Sequence, residues 1–406
     1  MGRKKSLTLI VCISLVLMLT SMLILPTQGA TQPKTSPAKK LNVGCIVAMT
    51  GWFSVLDMLL HNEAEVVAEI INERGGITVK GEKYMIELLT EDCRSNMDGV
   101  VSAANKLVYD KKVKFILGPP AFFSSGSSPL LTQNKVMNLL AWCTSQPGEL
   151  GPDTPYTFLG GNGPLGMCRS GLAAMKKFNP NAKTASIVVP DDGAIPYITP
   201  HIKKAFQDYG LTPVGDTIGY PNEMVDFSPI AAKIIALNAD LAVHTSGTPD
   251  HVGKITKALR ERGNFKPYGG GIFGSAQELA TIAGKEAATN VYTGNINLDD
   301  PLNSPLLKEV IKRISKKYGS RPVFIENANG LYILSQAIQA AQSLDPTVVK
   351  EKLEKMGKIE TVWGPGTICG TKTYGIANHV VTNRAPQQLI EKGELKWSGY
   401  FDFQLP

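Results

Sequence analysis

Apolar runs of strand length alternate with stretches of helical periodicity along most of this chain. Asn42 to Ala48 reads as a buried strand, and after Met49-Thr50-Gly51-Trp52-Phe53 the positions Ala64, Val67, Ala68, Ile70 and Ile71 share one helical face until Gly75-Gly76 stops it. Lys83 to Leu89 is a second strand and Asp98 to Asp110 a helix. Val113, Phe115 and Leu117, with Ile116 between them, form a third strand that Gly118-Pro119-Pro120 ends, and the serines before Pro129 offer an N-cap for the next helix. Met137 to Leu140 is the fourth strand, running out at Ala141-Trp142-Cys143-Thr144.

The pattern then restarts. Ala185 to Val189 and Asp240 to His244 are strands, His201 to Tyr209, Val252 to Arg262 and Gln277 to Ala283 are helices, and Tyr268 to Phe273 leads into a glycine-rich turn. Two α/β units of this kind each make a mostly parallel sheet covered by helices on both faces. Ligands of such sheets bind beyond the carboxyl ends of the strands. Those ends are Thr50 to Phe53, Phe122 to Ser125 and Ala141 to Thr144 in one unit, and Asp191 to Tyr197, Thr245 to Thr248 and Phe273 to Gln277 in the other. At Phe122 to Ser125, a strand hands over to a helix start beside serine hydroxyls, which suits a ligand carboxylate.

Composition narrows the class. Hydrophobic residues are 43% and charged residues 19% of the 406, as in ordinary globular chains. The formal charge of +7 includes Arg3, Lys4 and Lys5 at the start, and without them 39 basic groups face 35 acidic ones. That balance, with no basic patch interleaved with aromatics, argues against nucleic acid as a partner. Residues 1–30 carry a basic start, an apolar run from Leu7 to Leu25 and a small-residue exit at Gly29-Ala30, and read as a secretory signal or, uncleaved, a membrane anchor. Residues 31–40 are a tether. The cysteines Cys45, Cys93, Cys143, Cys168 and Cys369 stand singly, without metal-ligand spacing, and their odd number leaves at least one thiol unpaired.

Met49-Thr50-Gly51, Ile70 to Ile77, Ala103 to Val108 and Ile116-Leu117-Gly118-Pro119 recur in this order in one family, followed here by Gly160-Gly161-Asn162, Ile282-Ala283-Gly284, Tyr332 to Ala341 and Thr361 to Pro365. The chain resembles the type I periplasmic solute-binding proteins of the branched-chain amino acid (Leu/Ile/Val) branch of ABC transporters, from about Leu41 to its end. The resemblance implies an α/β fold of two Rossmann-like lobes joined by a three-crossing hinge, with lobe one at 41–161 and 293–372 and lobe two at 162–292 and 373–406. It also implies a place in the periplasm or on the outer face of the membrane, and no cofactor or metal. The expected partners are a small-molecule ligand and an ABC permease, with the receptor a monomer.

In amino-acid binders of that family, a serine after the Gly-Pro, and a small residue with a threonine after the next strand, hold the ligand carboxylate. Here Thr144 matches the threonine, Trp142 replaces the small residue, and Ala121 or Phe122 falls on the serine, so Ser124 or Ser125 supplies a hydroxyl only if the loop has gained residues. No carboxylate precedes Glu278 where the family places one against the ligand ammonium. The departures remove polar anchors and add rings. The expected ligand-binding set is Trp52, Phe53, Phe122, Ser124, Ser125, Trp142, Cys143, Thr144, Asn162, Tyr197, Ser246 and Phe273, some of whose rings would otherwise only pack the loops. Asn162 either meets the ligand or braces the hinge, and Tyr197 either closes the cleft or covers a helix start. His244 at a strand end is expected as a buried, hydrogen-bonded histidine.

Gly269 to Gly274 fits G-x-G-x-x-G, but no acid follows at the ribose distance, and no P-loop, HExxH or G-x-S-x-G is present. The expectation is therefore a binding protein, not an enzyme, that captures an aromatic or apolar carboxylate, or a branched-chain or aromatic amino acid. The alternative is a ligand-sensing receptor of the same fold that signals to a regulatory partner.

Overall fold

A computed structural model describes residues 38–142, 148–191, 193–322, 325–403 and 405. Residues 1–37, with the expected leader and most of the tether, lie outside it, as do Cys143 and Thr144. Lys39 and Lys40, assigned above to the tether, already belong to the first strand, Lys39–Val47, because both pair in register with Tyr84 and Met85. Among the described residues no helix is long and apolar enough to cross a membrane.

The strands form two sheets. The first runs Lys358–Thr361, Gly364–Cys369, Val380–Asn383, Thr157–Leu159, Met137–Leu140, Phe115–Leu117, Lys39–Val47, Glu82–Asp92, Ile77–Val79. Its central members are parallel, from Glu82–Asp92 through to Val380–Asn383, and its outer hairpins are antiparallel. The second runs Glu394–Phe401, Ala385–Glu391, Val291–Thr293, Tyr268–Gly271, Leu241–Thr245, Thr184–Pro190, Thr212–Pro213, with Ile218–Tyr220 also pairing the Thr184–Pro190 strand. In both sheets the opening strand lies inside, its successor goes to one side and the later strands to the other. Each sheet therefore has a reversal of order beside its opening strand, where a crevice opens at the carboxyl ends.

Why these segments fold so is visible in their burial. In the first sheet Val43, Cys45 and Val47 are buried, as are Phe115, Ile116 and Leu117, which fits a sheet covered on both faces. The helix Ser54–Glu73 buries Leu60, Ala64, Val67, Ala68 and Ile71 on one stripe, against a core that also takes Leu331, Leu334 and Ile338 of the helix Glu326–Ala341. In the second sheet the helix Gly163–Phe178 lies directly on the strand Tyr268–Gly271. A Cβ on Gly171 would stand 2.2 Å from the Gly270 carbonyl, so the run Gly269-Gly270-Gly271 serves close helix-on-sheet approach.

The chain passes between the sheets three times. It leaves the first after Leu159, returns after Thr293, and crosses again at Arg384, between Val380–Asn383 and Ala385–Glu391. The third passage comes later than the boundary at 372 read from the sequence, because Val380–Asn383 pairs with Gly364–Cys369 and continues the first sheet. The passages are tied together: Asn383 donates its N–H to Asn162 Oδ1 (3.0 Å), and Asn329 donates to the Gly160 carbonyl (2.6 Å) and accepts from Val362 N–H (2.9 Å).

Candidate functional site

The crevice of the first sheet is shaped by the turns beyond Val47 and Leu117. Gly118 has φ +85°, and a Cβ there would stand 2.5 Å from the Ile46 carbonyl, so this turn admits only glycine. Beyond Val47, the end of the neighbouring strand holds the loop: Asp92 accepts from Met49 N–H (2.9 Å), Thr50 N–H (3.2 Å), Thr50 Oγ1 (2.7 Å) and Arg94 N–H (2.8 Å). Burial opposes the Asp92 charge, but the Thr50 hydroxyl and the backbone donors outweigh it and keep the carboxyl below its ordinary value. Asp57, on the first turn of the following helix, accepts from Ala48 N–H at 2.6 Å. There burial wins over the one backbone donor and pushes its pKa up to about 7.

Rings gather on this loop. Trp52 stacks edge-on to Phe53 (5.3 Å between centroids) and to Phe123 (6.1 Å), yet remains 69% exposed at the rim. Phe53 is half-buried at the helix start, where its N–H donates to Ser95 Oγ (3.1 Å). Phe122 lies in the short turn Ala121–Gly126.

The serines behave otherwise than their sequence pattern predicts. Ala121–Gly126 is a 3-10 turn, the helix after it, Ser128–Gln133, is only six residues long, and no serine side chain caps it. Ser127 and Ser128 both donate to the Ser124 carbonyl (3.3 and 3.0 Å), while the buried Ser124 hydroxyl donates to Glu149 Oε1 (2.9 Å). These hydroxyls are spent within the loop, and Ser125 is the half-buried one beside them.

The second sheet's crevice has a polar floor. His244 is fully buried between two phenols, with Nδ1 2.5 Å from Tyr268 Oη and Nε2 2.7 Å from Tyr220 Oη. Tyr220 Oη also lies 3.3 Å from His251 Nδ1, and His251 Nε2 lies 3.1 Å from the Asn222 carbonyl. Burial holds both imidazoles neutral, and with the carbonyl able only to accept, the chain then runs one way: Tyr268 donates to His244, His244 to Tyr220, Tyr220 to His251, and His251 to Asn222. Every ring is then neutral. Burial first, and His251 second, lowers His244 to about 3. Above this floor Ser246 adopts φ +62° and donates its N–H to the Gly271 carbonyl (2.9 Å).

Of the expected residues, the structure brings two together from opposite sheets. Trp142, just beyond Met137–Leu140, meets Phe273, just beyond Tyr268–Gly271, edge to face at 5.3 Å. Asn162 is 2% exposed and braces the third passage through Asn383. Tyr197 lies on the first turn of Ile195–Asp208 and is 44% exposed. Cys143 and Thr144 fall outside the described residues. The sequence reading missed Asp57, Asp92 and the Tyr–His chain. Asp92 carried a usable signal, an acid ending a strand in a Glu-Asp-Cys-Arg-Ser loop.

Glu278, the first carboxylate after Phe273, is held in a capping box, accepting from Ser275 N–H (2.7 Å) and Oγ (2.8 Å) while its own N–H donates to Ser275 Oγ (3.2 Å). Cys45, Cys93, Cys168 and Cys369 are free thiols, the first three buried, and among the described residues no group of His, Cys, Asp and Glu is arranged to hold a metal.

A sequence model of the family described as periplasmic binding protein matches residues 40–383. Leu/Ile/Val-binding protein homolog 1 of Brucella melitensis is 27% identical over 338 residues, covering 79% of this chain and 84% of that protein. Among solved structures, the branched-chain amino acid transporter substrate-binding protein LivJ of Streptococcus pneumoniae, in complex with isoleucine, has a TM-score of 0.68 at 20% identity and covers 89% of this chain and 99% of its own. An ABC transporter solute-binding protein of Rhodopseudomonas palustris, in complex with 3,4-dihydroxybenzoic acid, has a TM-score of 0.66 at 22% identity and covers 89% and 96%.

Proposed function

The chain belongs to the periplasmic binding protein family, in its type I, Leu/Ile/Val branch, and from that premise we propose that it closes two lobes around a small organic acid with an aromatic or apolar body and presents it to an ABC permease. One lobe is the first sheet with its helices and the other is the second, so that both crevices face a single cleft, which one chain completes alone.

The carrying observation is the Trp142–Phe273 contact. It joins the strand ends of the two sheets by two rings, at the position where the family's amino-acid binders use a small residue. Burying one large apolar group is worth about 1.5 to 3 kcal/mol, comparable to a charged hydrogen bond, so rings on both sides select for an apolar guest. A ligand that contacts both lobes favours their closed arrangement by its differential affinity. Glu278, the first carboxylate after Phe273 in the chain, is occupied by its own helix start, which favours a guest carboxylate without an ammonium. The same fold holds isoleucine in the streptococcal protein and dihydroxybenzoic acid in the Rhodopseudomonas protein, so the scaffold accepts both kinds of guest.

Thermal shift of the full chain against 4-hydroxybenzoate, 3,4-dihydroxybenzoate, phenylalanine and leucine tests the reading, since a ligand of the folded state raises Tm with occupancy. The expected result is a rise with the hydroxybenzoates that exceeds the rise with either amino acid. A rise with leucine alone overturns the ligand class and leaves the receptor role standing.

A further inference from the structure

Away from the strand ends, a cavity of about 260 Å³ opens between the helices Gly163–Phe178 and Ile195–Asp208 and the short helix Thr371–Tyr374. Its floor is apolar, made by Leu165, Cys168, Ile202, Ala205 and Leu405, and its rim carries Arg169, Lys204 and Lys372. None of the residues at either crevice lines it. At roughly 30 Å³ per water, the space takes about eight waters, or a carboxylate with several methylenes.

The charges are unevenly satisfied. Asp208 is the acid that holds both Arg169 (2.9 Å) and Lys204, while Lys372 has no carboxylate within ion-pair distance among the described residues. Arg169 is only 13% exposed and spends one guanidinium N–H on Asp208, which leaves the others for a guest. His201, on the same wall, is kept below its ordinary pKa by burial and by the Arg169 charge, and adds a polar but uncharged edge. Among the described residues three cations face one carboxylate over an apolar floor, a surface matched to an amphiphilic anion.

We propose that this cavity is a second binding site, for a small monocarboxylate bearing a short unbranched alkyl chain, with the head group between Arg169 and Lys372 and the chain over Leu165, Ile202 and Ala205. Lys372 precedes Val380–Asn383 of the first sheet, whereas the two long helices flank the second, so a guest here touches both lobes at once.

Titration calorimetry of the full chain with hexanoate, hexylamine and inorganic sulfate tests the assignment. Hexanoate is expected to bind, hexylamine not to bind, and sulfate to bind at least about tenfold more weakly, because it forfeits the apolar contacts. Lys372→Glu, an exposed change that leaves the core untouched, and Arg169→Gln, which leaves Asp208 its partner Lys204, are each expected to weaken hexanoate about tenfold or more. Trp142→Ala is expected to remove only whatever heat hexanoate gives at the cleft and to leave binding at this cavity within twofold. Unchanged hexanoate affinity in both cavity variants, binding of hexylamine as strong as that of hexanoate, sulfate as tight as hexanoate, or loss confined to Trp142→Ala would each overturn the proposal.

Discussion

The two lobes repeat one strand order and differ in what they place at its reversal. The first lobe offers rings from three strand ends, Trp52 and Phe53, Phe123, and Trp142, and the serine hydroxyls beside Phe123 are engaged with the Ser124 carbonyl and with Glu149. The second holds a neutral chain of phenols and imidazoles in its core, and one ring, Phe273, beyond a strand end. On the proposed reading, shape selection sits largely with the first lobe, while the second supplies a rigid platform, because a buried, paired polar chain permits one arrangement. Similar topology does not carry similar chemistry with it.

His244→Phe strikes the platform. It removes the acceptor of Tyr268 and the donor to Tyr220 inside the core, and the expected cost is about 2 to 4 kcal/mol, read as a lowered urea midpoint. A cost under about 0.5 kcal/mol would show that the chain is not what stiffens the second lobe. Trp142→Ala strikes the selective side. It is expected to weaken 4-hydroxybenzoate binding by about 10- to 100-fold, from about 1.5 to 3 kcal/mol of lost burial, whereas Trp52→Ala, at the exposed rim, changes it less than threefold. Equal losses from the two would erase the distinction between cleft and rim.

Ser124→Ala leaves Glu149 short of a donor and is expected to lower stability by about 1 kcal/mol while ligand affinity stays within twofold; a tenfold affinity loss would return the serine to the ligand. Asp57 adds an effect that depends on pH. Its folded pKa of about 7 lies above the ordinary carboxyl value, so its contribution to stability is fully present at pH 3 and fades as pH rises towards 7 and beyond. Asp57→Asn is expected to flatten the decline in Tm between pH 5 and pH 8 relative to the parent chain. An unchanged slope would mean that Asp57 titrates normally.

Much of the fold was legible because strands buried on both faces, such as Phe115–Leu117, leave continuous apolar runs, and the intervening helices keep a clear stripe. The last strand of the first sheet was not: Val380–Asn383 ends in Thr-Asn and is recognisable only by its partners, Gly364–Cys369 and Thr157–Leu159. The strand-end placement of Trp142 and Phe273 could be read because their distance after an apolar run fixes where they emerge. The serine roles could not, since Ser124 is satisfied by Glu149, a residue whose proximity depends on the folded loop. The imidazole of His244 illustrates the middle case: its burial followed from its strand, but its two phenol partners come from Ile218–Tyr220 and Tyr268–Gly271.

The bond from the Asn383 amide to Asn162 splices two of the connecting passages side by side. On the proposed closure, both segments would rotate about nearly one line, as two leaves share a pin. Lengthening either by a single residue would misalign the jaws without altering any residue that touches the cargo.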